Sequence, residues 1–245
     1  MRKILTAALL AVLSASFLTG CVVVNLVDGN AVSPKGEREN HDFRVGQYNK
    51  VKIEGYCEVH YYSASSDTAT LSVQPNIREF YTVEVINEEL IVRSSKRILY
   101  GSKNTPILTI STPNLNRITI EGAGVFTAYE KITSDSLDFI LRGAGTGKVE
   151  LEAVTVFADI SGAGKLELSG RADTTVLSLD GAGELDALKL QTREARINLD
   201  GAGKVSIHCT DSLKIDASGA GAVEYRGSPS LNLNKNGLVS IRQVN

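Results

Sequence analysis

The tripeptide Gly-Ala-Gly occurs six times in the second half of this chain, at 122–124, 143–145, 162–164, 181–183, 201–203 and 219–221. Successive first glycines lie 21, 19, 19, 20 and 18 residues apart. A period of this size marks a stacked repeat, because a unit so short cannot bury its apolar face alone. Apolar residues alternate with polar ones on both sides of each triplet. Before it stand Ile118/Ile120, Phe139/Leu141, Ala158/Ile160, Leu177/Leu179, Ile197/Leu199 and Ile215/Ala217. After it stand Phe126/Ala128, Leu166/Leu168, Leu185/Ala187, Val205/Ile207 and Val223/Tyr225. In the second repeat Thr146 and Gly147 read as two extra corner residues, which makes its pair Val149/Leu151 and explains the spacing of 21.

Alternation with period two turns one face inward and the other outward. Each repeat therefore supplies two strands joined at a tight glycine corner. A second, more variable corner falls near Thr133-Ser134-Asp135, Gly170-Arg171-Ala172-Asp173, Thr210-Asp211 and Arg226-Gly227-Ser228-Pro229. The expected fold is all-β: a flattened parallel β-solenoid of about 20 residues per coil, each strand pairing with its equivalents about 4.8 Å above and below.

Twelve glycines make the corners: Gly122 and Gly124, Gly143 and Gly145, Gly162 and Gly164, Gly181 and Gly183, Gly201 and Gly203, Gly219 and Gly221. Glycine reaches backbone angles closed to other residues, and nothing larger than Ala fits between stacked corners. Valine at Gly183 or Gly203 should fail on both counts. Residues beside the corner form ladders. Val125, Thr146, Lys165, Glu184, Lys204 and Ala222 follow it; Glu121, Arg142, Ser161, Asp180, Asp200 and Ser218 precede it. Asp180 and Asp200 become like-charged neighbours, which costs stability unless something compensates.

Ahead of the repeats, short β-type runs lie between turn clusters from Lys50 to Ile120, and Pro75 to Tyr81 has room for one helical turn. The amino terminus is different in kind. Arg2 and Lys3 precede an apolar run from Ile4 to Leu18, too short for a comfortable membrane span, and Leu18-Thr19-Gly20-Cys21 resembles the bacterial lipobox. The reading is a signal peptide at 1–20, a lipidated Cys21 opening a tether at 21–40, and one solenoid domain at 41–245. Within that domain 41–121 is irregular and 122–245 is repetitive. Two or more acyl chains anchor stably where one is marginal. Val22 in place of Asp favours the outer membrane, and leaves the periplasmic or surface face open.

Loss of residues 1–20 leaves 24 basic and 28 acidic residues, a net charge of −4. No basic stripe with interleaved aromatics exists, so nucleic acid has no place to bind. Of the two further cysteines, Cys57 and Cys209, a repeat stack separates early from late, so they read as buried free thiols.

The leader, the β-rich first half and the Gly-Ala-Gly repeats together resemble the auto-transporter adhesin head (GIN) domain family of Bacteroidetes-type lipoproteins. Phe43-Arg44-Val45-Gly46, Val51-Lys52-Ile53-Glu54-Gly55 through Val59-His60-Tyr61-Tyr62, and Ile107 to Pro113-Asn114-Leu115 entering Ile118-Thr119-Ile120-Glu121-Gly122 carry the likeness. It runs from about Phe43 to Val244. The resemblance implies a right-handed, pectin-lyase-like β-helix acting in adhesion, with no established catalytic residues.

Sites of chemistry are few. Gly143 to Lys148 comes nearest to a phosphate loop, but Val149 stands where Ser or Thr is needed. Calcium repeats need Asp where Phe126, Leu166 and Leu185 stand. His41, His60 and His208 lack metal spacing. Neither cofactor nor metal is expected, although Asp180 with Asp200 could hold a cation between coils. Two classes of function remain. One is a non-catalytic, lipid-anchored binding or adhesion module for glycan or protein, or a structural envelope protein of the periplasm. The other is a glycan lyase or hydrolase using Asp159, Asp180, Asp200 and Asp216 with Arg142 or Arg196. Oligomeric state is not encoded in any of these patterns.

Overall fold

Each alternating stretch of the repeats is a strand, and these strands stack coil upon coil in parallel register. The computed structural model describes residues 31–101 and 104–245. Among these are seventeen strands and one short helix, α1 (Pro75–Arg78), the turn expected there. The repeats give β8 (Arg117–Gly122), β9 (Val125–Ala128), β10 (Ile132–Gly143), β11 (Thr146–Gly162), β12 (Lys165–Gly181), β13 (Glu184–Gly201) and β14 (Lys204–Gly219). The last coils are β15 (Ala222–Arg226), β16 (Ser230–Gly237) and β17 (Ser240–Gln243). The fold is the expected parallel β-solenoid, with Gly122, Gly143, Gly162, Gly181, Gly201 and Gly219 in one column. Its core is the alternating set, including Ile120, Phe126, Leu141, Leu166, Leu185 and Ile215, all fully buried.

The corner glycines divide into two kinds. First glycines take the left-handed backbone, φ +125° at Gly181 and +120° at Gly201. The third position of each triplet has ordinary φ and points inward, so Gly183 and Gly203 are constrained by space alone. The angle argument therefore belongs to Gly181 and Gly201, and the collision argument to all four. What forces the approach is a ladder of hydrogen bonds through the corner: Ala182 N–H donates to Gly162 O, Ala202 to Gly181 O and Ala220 to Gly201 O, each at 2.9 Å. A Cβ on the glycine above would land on those same carbonyl oxygens.

Register also relocates the extra residues of the 21-residue period. Thr146 pairs with Lys165 and Gly147 with Leu166, so Gly147 is an ordinary inward position and its partner there is Val149. Phe139 and Leu166 fill the space a side chain on Gly147 would need, which is why a glycine stands there. Leu151 faces Gly170 instead. Thr127 pairs with Lys148 while Ile132 pairs with Leu151. The two surplus residues thus lie between Thr127 and Ile132, in the preceding coil. The second corner does not interrupt the strands: β11 to β14 run through it, and the inward alternation slips phase there, as from Ala172 to Thr175.

The column of corners is longer than the six triplets. Gly55 pairs with Gly122 and has φ +97°, and Gly237 pairs with Gly219 and has φ +91°. Here the triplets are Gly55-Tyr56-Cys57 and Gly237-Leu238-Val239. Cys57 and Val239 stand at the third position of these triplets, and both are buried in the core.

The first half supplies β1 (Glu39–Phe43), β2 (Lys50–Gly55), β3 (Glu58–Tyr62), β4 (Thr68–Val73), β5 (Tyr81–Ile86), β6 (Glu89–Ser94) and β7 (Ile107–Ser111). Here order in space departs from order in sequence. β2 lies between β6 and β8, and β3 between β7 and β9, all parallel. One sheet is closed by β4, antiparallel to β7, and then by β1, antiparallel to β4; β5 closes the other, antiparallel to β6. α1 joins β4 to β5, and its Ile77 is fully buried. Residues 32–40, within the expected tether, lie against this part: Val32 bridges to Ile98, and Arg38 Nη1 donates to Thr105 O at 3.1 Å. Cys21 and the leader lie outside the described residues.

Candidate functional site

Outward side chains in a solenoid are held one coil apart by the core beneath them, so any site is a set of rungs. On the sheet that precedes the glycine corner, Asp159, Ser178, Asn198, Asp216 and Asn234 form one rail. Ser161, Asp180, Asp200, Ser218 and Asn236 form the next. All of these but Ser161 line a shallow trough of about 440 Å³, with Leu179, Leu199 and Ala217 also in its lining. Lateral bonds fix its side chains: Asn198 Nδ2 donates to Ser178 Oγ at 3.2 Å, and Arg196 Nη2 meets Asp216 Oδ2 at 3.0 Å. Ser218 Oγ donates to Asp200 Oδ1 at 2.8 Å, which offsets part of the repulsion between Asp180 and Asp200.

The trough gathers the four aspartates named for glycan chemistry. Arg196 is not among its lining and reaches it through Asp216, while Arg142 turns to Glu121 at 4.0 Å. Among the described residues no three His, Cys, Asp or Glu side chains converge on a metal site. A second groove, about 1060 Å³, runs along the variable corner between Arg117, Asp135, Glu152, Arg171 and Asp173. Arg117 there is held by Asp138 at 2.7 Å. The opposite sheet carries charge ladders: Lys165 meets Glu167 at 3.1 Å and Glu184 at 3.4 Å. Lys204 turns away from Glu184 to the largely buried Glu224 at 3.0 Å. Arg242 and Lys204 hold the Glu224 carboxyl below the usual carboxylate range.

Where that sheet meets the first half, its character changes. Tyr62 and Tyr129 stack with ring centroids 5.3 Å apart and planes 7° from parallel, and His60 meets the Tyr129 ring edge-on at 5.0 Å. Tyr129 is 55% exposed and Tyr62 39%. Burial lowers the His60 pKa below the ordinary imidazole value, against the pull of Glu58 3.7 Å away. His208 is likewise lowered, by burial and then by Arg226. His60 and Tyr62 alternate within β3, and Tyr129, 67 residues on, is brought over Tyr62 by the pairing of β9 with β3.

Cys57 and Cys209 are both free and buried. Their thiols point at carbonyl oxygens, Cys57 at Pro106 O (3.6 Å) and Cys209 at Ser212 O (3.1 Å). Burial pushes the Cys57 pKa up to about 12 and raises that of Cys209. Protonated and enclosed, they are core residues and not nucleophiles.

No helix among the described residues is long and apolar enough to cross a membrane. No curated protein matches this chain. Solved structures do. A "putative adhesin" from Bacteroides fragilis superposes with TM-score 0.81 at 24% identity, covering 87% of this chain and all of the other. A "putative lipid binding protein" from Parabacteroides distasonis gives 0.70 at 17% identity, over 88% of this chain and all of its own. A "putative adhesin" from Parabacteroides merdae gives 0.62 at 18% identity, with the same coverage. At these identities the likeness is one of fold. The sequence itself matches the family described as "Putative auto-transporter adhesin, head GIN domain" over residues 47–229, most of the chain, and the protein belongs to that family.

Proposed function

We propose that this protein is a cell-envelope adhesion module that holds a glycan or protein on its outward rungs, without transforming it. The observation that carries this reading is the trough of Asp159, Ser178, Asn198, Asp216 and Asn234. Its polar groups recur at each coil, about 4.8 Å apart, on a frame too well packed to move. A surface of that kind recognises an extended ligand by repeated hydrogen bonds and needs no enclosed pocket. Membership of an adhesin family and the adhesin-named structural relatives support the same reading.

Probing a glycan array with the purified mature chain is expected to show retention of a subset of saccharides, released intact. The trough also offers Asp180 and Asp200 on adjacent rungs, a pair of carboxylates of the kind glycosidases use. Shortened or unsaturated products from retained glycans would replace the adhesion reading with that enzyme.

Anchoring through a lipid on Cys21 completes the proposal. Cys21→Ser is expected to move the protein from the membrane fraction to the soluble envelope fraction, because both acyl attachment and its roughly 0.8 kcal/mol per buried CH₂ are lost. Retention of the variant in membranes would argue against the anchor. Protease shaving of intact cells separates surface display from a periplasmic position.

A further inference from the structure

We infer that the Tyr62–Tyr129 pair, with His60 at its edge, is a stacking platform for a pyranose ring of a saccharide. The inference rests on the adhesion reading and deepens it by naming a site and a ligand class.

Beyond β9 the outward rungs of this sheet are largely charged, with Lys165 and Glu184 and then Lys204 and Glu224 in lateral pairs, and with one imidazole, His208. Here two large rings and an imidazole are clustered, and both tyrosines remain accessible. Tyrosine in such a cluster offers a flat, rigid, amphipathic surface with little rotamer entropy to lose on binding.

The pairing of β9 with β3 fixes the two rings together. Ala128 lies against Tyr61, and Tyr129 N–H donates to Tyr61 O at 3.0 Å, so Tyr129 stands alongside Tyr62. Glu130, the next residue, accepts from Ser63 N–H through Oε2 at 2.7 Å, which holds its carboxylate at the border of the rings.

The rim adds its own chemistry. His60 lies between Thr109 on β7 and Thr127 on β9, and Tyr62 lies beside Ser111. The His60 imidazole, the neighbouring Thr109 and Thr127 and the carboxylates of Glu58 and Glu130 stand at the rim. Protein hot spots are centred on apolar anchors in desolvated pockets. A sugar instead presents one face of C–H groups, which lies on an aromatic ring, and a perimeter of hydroxyls that need donors and acceptors. The platform and rim match the second description.

Affinity at an open platform of this size is expected near the millimolar range, about −4 kcal/mol. Saturation-transfer NMR suits it, with lactose, maltose and N,N′-diacetylchitobiose as probes and the acyclic polyol mannitol as control. At least one disaccharide is expected to receive saturation through its ring C–H protons, and mannitol none. Tyr129→Ala and Tyr62→Ala should each reduce the transfer about five-fold or more, while Phe157→Ala, an exposed ring on the other sheet, should leave it unchanged. Should a variant fail to fold, titration of the wild-type chain is read at its tyrosine ring resonances, with Tyr62→Phe and Tyr129→Phe giving the assignments. No transfer to any of the three probes, or transfer that survives the folded Tyr62→Ala/Tyr129→Ala double variant, overturns the platform. Array binding that survives the double variant would keep the adhesion module and move its ligand to the trough. An array with no retained glycan, together with no saturation transfer, would send the adhesion reading to protein ligands and remove the platform with it.

Discussion

Gly201→Val is expected to destabilise the domain by about 4 kcal/mol or more, lowering its melting temperature by roughly 8–16 °C. Two independent penalties add at this residue. Its φ of +120° lies where a β-branched side chain is an outlier, and a Cβ would overlap the Gly181 carbonyl oxygen. That oxygen cannot retreat, because it accepts the Ala202 N–H at 2.9 Å within the corner ladder. Gly203→Val removes one penalty and keeps the other: its Cβ would stand 2.6 Å from Gly183 O and against the Leu179 side chain. Loss of stability at Gly203 should therefore be large but smaller than at Gly201. Ala202→Val, on the exposed tip between them, is the control and should change little. Thermal melting followed by far-ultraviolet circular dichroism checks the series. A Gly201→Val protein melting within about 2 °C of the parent would contradict the corner geometry.

Alkali should unfold this protein through its buried acids. Cys57 and Tyr100 are pushed by burial up to about 12, and Tyr48 and Tyr81 beyond that; Cys209 and Tyr61 are raised as well. In the unfolded chain thiols titrate near 9.0 and phenols near 10.0. Above those values the unfolded state has released protons that the folded state still holds, so stability falls as pH rises. The loss begins near pH 9 with the thiols, steepens above 10 with the phenols, and approaches about 1.4 kcal/mol per pH unit for each fully displaced group. Urea unfolding at about pH 8 and about pH 10.5 should show a drop of several kcal/mol between them. Cys57→Ala should flatten the first part of that decline. Equal stability at the two pH values would mean these groups are not enclosed as described.

The repeats were legible because local pattern and global register coincide. Alternation fixes which side chains face in, and the recurring glycine fixes where each coil turns; Leu166, Leu185 and Val205 are buried as their positions demand. Legibility ended where identity and geometry part. Gly55-Tyr56-Cys57 is a corner, yet only its first residue looks like one. The spacing of 21 counts two surplus residues without saying where they lie. Gly147 resembled part of an insertion because glycine is common at corners, but it is small to make room for Phe139 and Leu166. The aromatic platform joins residues 67 positions apart, a proximity that needs the pairing of β3 with β9. No local pattern carries that pairing.

The position of β2 and β3 changes what it means to shorten this chain. A stack wound strictly in sequence order would lose its outermost layer when residues are removed from its start. In this protein the earliest complete coil sits in the interior, with β6 and β7 on one side and β8 and β9 on the other. Trimming past Tyr62 would excise a layer from the middle of the column and part the closing strands from the repeats. For this molecule the segment from Lys50 to Tyr62 is a keystone, and an end of the structure must be sought elsewhere.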